Sequence, residues 1–332
     1  MRIRALFQRY ETNLLIAIIL LGIIITAVNP SFLTLENFFD LAKSYSFLGI
    51  FAIGVLIVLI SGGIDISFSA IATVGEYAMT VIMIRHGGNI ATCFLISCGI
   101  GIALGAINAL LIHGFNIPTI IATIATLNIY YGILTVLSGG KWIYNLPSWF
   151  QQFAIIRVFT LTSAEGIPYG LSIITVVWVF LIVVAWIILR YTTLGRSLYA
   201  MGGSMSAARR AGLNILRLQL FVYGFMGFMS GVAGVVQALL VQTVAPNSIV
   251  GKELNVIAAV VLGGASLSGG TGTIFGTILG VTLIAIMGNG LTLMRVSSFW
   301  YDVCIGLVIL IAVGASAYRR KRMQRRSILT GE

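Results

Sequence analysis

Residues Arg190 to Arg217 read RYTTLGRSLYAMGGSMSAARRAGLNILR, a basic polar island between the apolar runs VVWVFLIVVAWIIL (176–189) and LQLFVYGFMGFMSGVAGVVQALLV (218–241). The second run, and the first as the end of a span from Tyr169 to Leu189, are long enough to match ~30 Å of hydrocarbon, so the island is a loop between membrane spans. It encodes a short helix. Ser204 can N-cap it, Ser206 to Ala211 carries it, and Gly212 closes it in the left-handed conformation that glycine adopts cheaply. Arg209 and Arg210 fall in its last turn, toward the negative end of the helix dipole. Two turns are not stable alone in water, so the membrane body, a partner or both must hold the helix. The small side chains of Ala207, Ala208 and Ala211 let a partner surface approach closely. The same residues also fit an ordinary basic loop of the cytoplasmic side.

Outward from the island the chain hardly leaves the membrane. Of its 332 residues 59% are hydrophobic and 9% charged, and the mean hydropathy is +1.05. This predicts an all-α, polytopic bundle of about ten spans, residues 1–332 forming one transmembrane domain with no soluble domain of useful size. The net charge of +11 does not point to nucleic acid, because the arginines sit at the ends of apolar spans. Cys93, Cys98 and Cys304 all lie within apolar runs and suggest neither a disulfide framework nor a zinc site. His86 and His113 lie near span ends without a metal-ligand constellation.

The N-terminus, MRIRALFQRYETNLLIAIILLGIIITAVNP, has the basic start of a signal peptide without a small-x-small cleavage site before Asn29 and Pro30. It reads as an uncleaved first span. Further spans fit Leu48–Ile60, Ile66–Ile84, Ile90–Leu111, Thr119–Leu137, Tyr169–Leu189, Leu218–Leu240, Leu254–Leu262, Thr273–Leu293 and Phe299–Ala317. With both termini in the cytoplasm, the inner side collects Arg2, Arg4, Arg9, the arginines of 190–217 and the basic tail 318–332. The outer side holds only Lys43, Arg85, Lys141, Arg157, Lys252 and Arg295. That positive-inside bias requires an even number of spans. The longest outer loop, 138–168, carries Trp142, Tyr144, Trp149 and Phe150, which suit an interfacial aromatic belt or a docking surface.

Two short spans end in double glycines. Leu48–Ile60 runs into Ser61, Gly62, Gly63, Ile64, Asp65, Ile66 and Ser67. Leu254–Leu262 runs into Gly263, Gly264, Ala265, Ser266, Leu267, Ser268, Gly269 and Gly270. Unwound backbone is tolerated at membrane depth only where protein or water satisfies it, and in transporters it often marks the pathway. Both segments also read as tight cytoplasmic turns, with Asp65 or Ser67 capping the next helix. Glu76 lies mid-span, where an ionised carboxylate is costly unless paired or hydrated. It either faces a polar pathway or bonds a neighbouring helix as a neutral acid. Asn108, Asn128, Gln237 and Asn289 are candidate polar wall residues or interhelical glue. Ser97, Gly101 and Gly105, Gly227 and Gly231, and Gly272, Gly276 and Gly280 form small-residue stripes for close helix packing.

Taken in order, the segments 61–67, 194–203 (LGRSLYAMGG), 256–270 (VIAAVVLGGASLSGG) and 288–291 (GNGL), with the Asn116-Ile117-Pro118 entry to a span, resemble the permease subunits of bacterial ribose-type sugar ABC importers. The resemblance covers nearly the whole chain. It implies a multi-pass protein of the bacterial inner membrane that pairs with a second permease subunit, as a homo- or heterodimer. Two cytoplasmic ABC ATPases would drive the pair, and a periplasmic or lipid-anchored sugar-binding protein would deliver the cargo. It makes 204–212 the coupling helix seated in the ATPase, and the implied coupling set is Gly195, Arg196, Gly203, Ser204, Ala207, Ala208, Arg209, Arg210 and Gly212. The candidate pathway set is Gly62, Gly63, Asp65, Ser67, Glu76, Asn128, Gly263, Gly264 and Ser266. Ser204, Ser69 and Asn255 stand where the family often has Asn, Gly and Asp. No G-x-x-x-x-G-K-[ST] phosphate loop occurs in the sequence, so this subunit is expected to be no enzyme and to bind no cofactor itself, ATP and Mg²⁺ belonging to the partner ATPase. The rival readings are a branched-chain amino-acid permease of the same broad superfamily, and a secondary transporter using Asp65 or Glu76 as a proton or sodium site.

Overall fold

A computed structural model of the chain describes residues 10–163, 166–297, 299–301, 303–307 and 310. Its helices in chain order are α1 Tyr10–Val28, α2 Leu35–Ile60, α3 Phe68–His86, α4 Ile90–Phe115, α5 Thr119–Ser138, α6 Ser148–Ala154, α7 Ile173–Tyr191, α8 Thr193–Gly203, α9 Met205–Arg210, α10 Ile215–Val241, α11 Glu253–Leu262 and α12 Ile274–Leu293. A single 3-10 turn, Pro30–Leu33, joins α1 to α2, and the two-residue strands β1 Leu161–Thr162 and β2 Pro168–Tyr169 form a small antiparallel hairpin. Among the described residues, eight helices are long and apolar enough to cross a membrane. The expected all-helical polytopic bundle is what forms.

Helix ends follow the local chemistry. Thr34 accepts the Asn37 amide at the head of α2, Asn89 and Thr92 form a capping box at α4, and Asn214 accepts the Arg217 amide at α10. The lower part of α2, with α3, α10 and α12, is mostly buried, whereas α1, α4, α5 and α7 present broad apolar faces outward. In hydrocarbon such faces carry no penalty, and close packing drives helix association. The α4 stripe meets α10 in antiparallel order. Ser97 Oγ donates to the Gly231 carbonyl at 2.8 Å, and a Cβ on Gly101 would collide with the Gly227 carbonyl.

Several boundaries differ from the sequence expectation. The helix expected from Leu48 starts at Leu35 and is 26 residues long; Asn37, Asp40, Lys43 and Ser44 hide its upper part from an apolar window. Leu254–Leu262 does not cross by itself, because the 10 residues of α11 rise only ~15 Å. It is a half-helix, entered through the non-helical segment 242–252. The helix expected from Tyr169 starts at Ile173, and Tyr169 lies in β2. Phe150, expected in an aromatic belt, is fully buried, while Trp142 and Tyr144 are exposed and stacked 5.9 Å apart. Of the span expected over Phe299–Ala317, residues 299–301 and 303–307 are helical; its remainder, the basic tail 318–332 and Arg2, Arg4 and Arg9 lie outside the described residues.

Candidate functional site

The polar island folds as two consecutive helices at one end of the bundle. Thr192 opens α8 by accepting the Gly195 amide at 3.1 Å. Ser204 closes α8 and opens α9, accepting the Ala207 amide at 3.3 Å. Gly212, at φ +82°, ends the elbow. Ala208 is buried, whereas Ala207, Arg209, Arg210 and Ala211 are exposed. One side of α9 therefore packs on the protein and the other offers two arginines and two small residues. In the first helix Gly195 is buried, Arg196 is exposed and Gly203 is exposed.

Helix α8 is tied into both double-glycine segments. A Cβ on Gly202 would run into the Ile60 carbonyl oxygen at the end of α2 and lie 2.7 Å from the Gly270 nitrogen. Gly62 lies against the Gly202 backbone, and a Cβ on Gly269 would stand 2.6 Å from the Gly62 Cα. The Gly270 amide donates to the Ile60 carbonyl at 3.0 Å, and Tyr199 Oη donates to the Gly272 carbonyl at 2.8 Å. Three separate stretches thus meet backbone to backbone, a distance only glycine permits. Gly263 and Gly264 turn the chain out of α11, Gly263 against the Gly276 backbone of α12 and Gly264 at φ +92°. Ser266 is half-buried and shares a 2.9 Å bond with Ser268.

The other double glycine leads into unwound chain. Residues 63–67 are not helical, and their backbone is satisfied by side chains of α5: the Ile64 and Ile66 amides donate to Thr119 Oγ1 at 3.0 Å and Thr123 Oγ1 at 3.3 Å. Asp65 Oδ1 accepts the amide of Ser67 at 2.7 Å and its hydroxyl at 2.6 Å. The Asp65 carboxylate, and not the Ser67 hydroxyl, therefore serves the head of α3. Ser67 Oγ in turn accepts Asn108 Nδ2 at 2.7 Å, and Tyr130 Oη donates to Asn108 Oδ1 at 3.1 Å. The buried chain Tyr130, Asn108, Ser67, Asp65 crosses from α5 through α4 to the unwound segment.

Glu76 is buried on α3, where Oε2 accepts the Ser248 hydroxyl at 2.5 Å. Seven residues away at the head of α3, Ser69 donates to Glu253 Oε1, and both oxygens of Glu253 accept the Gly251 amide at 3.0 Å. Two carboxylates thus staple the entry segment 242–252 to α3. Lys252 rests its ammonium 5.1 Å from the Phe47 ring centre and within electrostatic reach of Glu76. From the other side, Ile143 and Val244 exchange backbone bonds of 2.8 and 3.0 Å, which join the long outer loop to the same segment. Beside it, Ser44, Tyr45, Gln237, Lys252, Asn255 and Tyr301 contribute to a cavity of about 630 Å³.

The predicted pathway residues therefore fall into separate groups. Gly62 and Gly63 adjoin the elbow, Asp65 and Ser67 belong to the polar chain, Glu76 holds the entry segment, and Gly263, Gly264 and Ser266 form the turn after α11. Asn128 meets none of them; it is exposed on α5 and donates to its own helix at the Ile124 carbonyl, 2.8 Å away. Sequence reasoning missed Glu253, Ser248, Tyr199, Tyr130 and the Thr119/Thr123 pair. The i, i+4 spacing of the two threonines just after Pro118 was the available signal. Among the described residues, no group of three or more His, Cys, Asp or Glu side chains is placed to hold a metal ion.

Comparison with known proteins fits this architecture. The chain is 33% identical over 306 residues to the ribose import permease protein RbsC of Escherichia coli strain K12, covering 91% of this chain and 92% of the relative. It is 36% identical over 300 residues to RbsC of Bacillus subtilis strain 168, covering 90% of each. It is 34% identical over 301 residues to the autoinducer 2 import system permease protein LsrC of Yersinia enterocolitica, covering 90% of this chain and 80% of the relative. No solved structure is significantly similar. A family model described as branched-chain amino acid transport system / permease component matches residues 37–313. With its apolar bundle, its half-helix and its polar elbow between spans, the chain belongs to that permease family.

Proposed function

We propose that this chain is the translocating subunit of an ATP-driven importer for a monosaccharide, residing in the bacterial inner membrane with both termini cytoplasmic. The observation that carries the reading is the meeting of α8 with both double-glycine segments, because it gives the polar elbow a mechanical connection to the interior. The elbow docks on a cytoplasmic ABC ATPase, which supplies the ATP and Mg²⁺ site. The outer loop receives a sugar-binding protein, and a second permease subunit completes the pathway. ATPase closure would move α8 and, through it, segment 263–272 and one end of α11; docking above would act through Ile143 and Val244 on segment 242–252, which enters α11 at its other end. Both partners then bias one two-state element.

A sugar is favoured over a branched-chain amino acid by the named cargo of the RbsC relatives and by the outer cavity. Tyr45, Gln237, Asn255 and Tyr301 offer hydrogen-bonding groups and aromatic faces, and no carboxylate is among the described lining residues to pair with an ammonium group. The test is uptake of labelled ribose and labelled leucine into proteoliposomes holding this chain, its ATPase and its binding protein. ATP-dependent ribose uptake that survives an uncoupler supports the proposal. Leucine uptake would reassign the cargo, and uptake abolished by the uncoupler while ATP persists would revive a proton-coupled mechanism.

A further inference from the structure

A groove of about 710 Å³ opens between α7, α8 and α12 at the elbow end of the bundle. Its walls include Phe275 and Ile278 of α12 and Trp186 of α7, and its rim carries Arg190, Arg196 and Tyr199. Both arginines are exposed, as are the indole of Trp186 and the ring of Phe275. Trp186 also packs edge-on against Tyr191, ring centres 5.0 Å apart. The order along α7 is therefore apolar wall, tryptophan, arginine, the sequence of environments met on passing from hydrocarbon through the interface to water. The Thr273 hydroxyl, which lines the groove, donates to Glu11 Oε1 at 2.7 Å.

We propose that this groove is a binding site for an anionic phospholipid. The acyl chains lie along the apolar wall, and the phosphate is held by Arg190 and Arg196, with the Tyr199 ring at the rim. The combination decides between occupants. Two guanidiniums beside apolar walls at a membrane boundary suit a phosphate attached to hydrocarbon; a free phosphate would leave the walls unused, and a purely apolar partner would leave the charges unanswered. The bound lipid would bridge α7, α8 and α12, and so contact the helix that the glycine junction ties to the interior. The site requires only a membrane boundary at this end of the bundle, and it stands whichever cargo is carried.

The experiment uses the full chain in mild detergent, titrated with phosphatidylglycerol or phosphatidylcholine brominated in the acyl chains. The Trp186 contribution to quenching is isolated by comparison with Trp186→Phe. Half-maximal quenching is expected at roughly tenfold lower phosphatidylglycerol than phosphatidylcholine, the difference narrowing as salt is raised. In the double variant Arg190→Gln/Arg196→Gln the two lipids should become equivalent, while Arg190→Lys/Arg196→Lys keeps part of the preference. Equal quenching of the native protein by both lipids, meaning ordinary boundary lipid, overturns the proposal. So does a preference untouched by salt or by the glutamine pair, or a Trp186 that neither lipid reaches because protein covers the groove. If the glutamine variant does not fold, the salt dependence of the native protein decides.

Discussion

The Gly270 amide donates to the carbonyl oxygen of Ile60 across 3.0 Å, so the loop after α11 completes the hydrogen bonding at the end of α2. These residues are far apart in sequence, and α8 passes directly over their junction with Gly202 facing both. The elbow therefore cannot shift without moving one or the other. A rigid three-way contact of this kind transmits displacement, because packed backbone has no side-chain slack to absorb it.

Gly202→Ala should be destabilising, since its methyl group would meet the Ile60 carbonyl and the Gly270 nitrogen. Overpacking of this sort costs about 1–3 kcal/mol. The neighbouring Gly203→Ala meets nothing within 4 Å and should be neutral or slightly stabilising. Thermal unfolding of the two variants in the same detergent measures the contrast, and equal midpoints would show that the junction is looser than described.

Glu76→Leu should weaken the hold of segment 242–252 on α3, because the Ser248 hydroxyl loses its acceptor. Leaving that group unpaired costs about 1–3 kcal/mol. Glu76→Gln retains an acceptor and should stay close to the native protein in both stability and uptake. Unchanged stability and uptake in a normally expressed Glu76→Leu variant would remove the staple from the account.

Asn108→Leu breaks the buried chain at its centre, removing the donor to Ser67 Oγ and one acceptor of Tyr130 Oη, which keeps the Leu104 carbonyl at 3.2 Å. The expected loss is about 1–3 kcal/mol, against about 0.5–1.5 for Tyr130→Phe, which removes only the terminal donor. Denaturant or thermal melts of the two variants give the ranking. A larger loss for Tyr130→Phe would mean that the order of the chain is wrong.

Ala207→Trp and Ala208→Trp separate the two faces of α9. Ala207 is exposed and Ala208 is buried, so Ala207→Trp should abolish ATPase capture in a pull-down while membrane insertion and melting stay native. Ala208→Trp should lower the melting temperature as well, because the indole has no room beneath the helix. Native capture by the Ala207 variant would place the ATPase contact elsewhere.

Much of the fold was legible because hydrocarbon imposes simple rules: apolar runs near twenty residues, basic ends and small-residue stripes appear directly in the sequence. The elbow was legible as a polar interruption, and its caps at Ser204 and Gly212 are local chemistry. What the sequence hid was relational. Polar residues such as Asp40, Lys43 and Ser44 masked the first half of α2, since an apolar window cannot see a helix that is wet on one side. Ala207 and Ala208 are identical in type, and only packing decides which faces the body. Ser248 and Glu253 carry no local signal, because their partners, Glu76 and Ser69, lie on a helix far away in the chain. Gly202 and Gly269 were visible as glycines, but nothing local announces that they touch.

The most direct test of the central claim, that the elbow drives the half-helix segment, is sugar transported per ATP hydrolysed in proteoliposomes containing the complete importer with Tyr199→Phe. That variant removes the single hydroxyl bond from α8 to the Gly272 carbonyl and keeps the ring in place. ATPase association and hydrolysis should remain native while transport per ATP falls by roughly fivefold, the equivalent of about one hydrogen bond. An unchanged ratio in an intact complex would contradict the coupling route described.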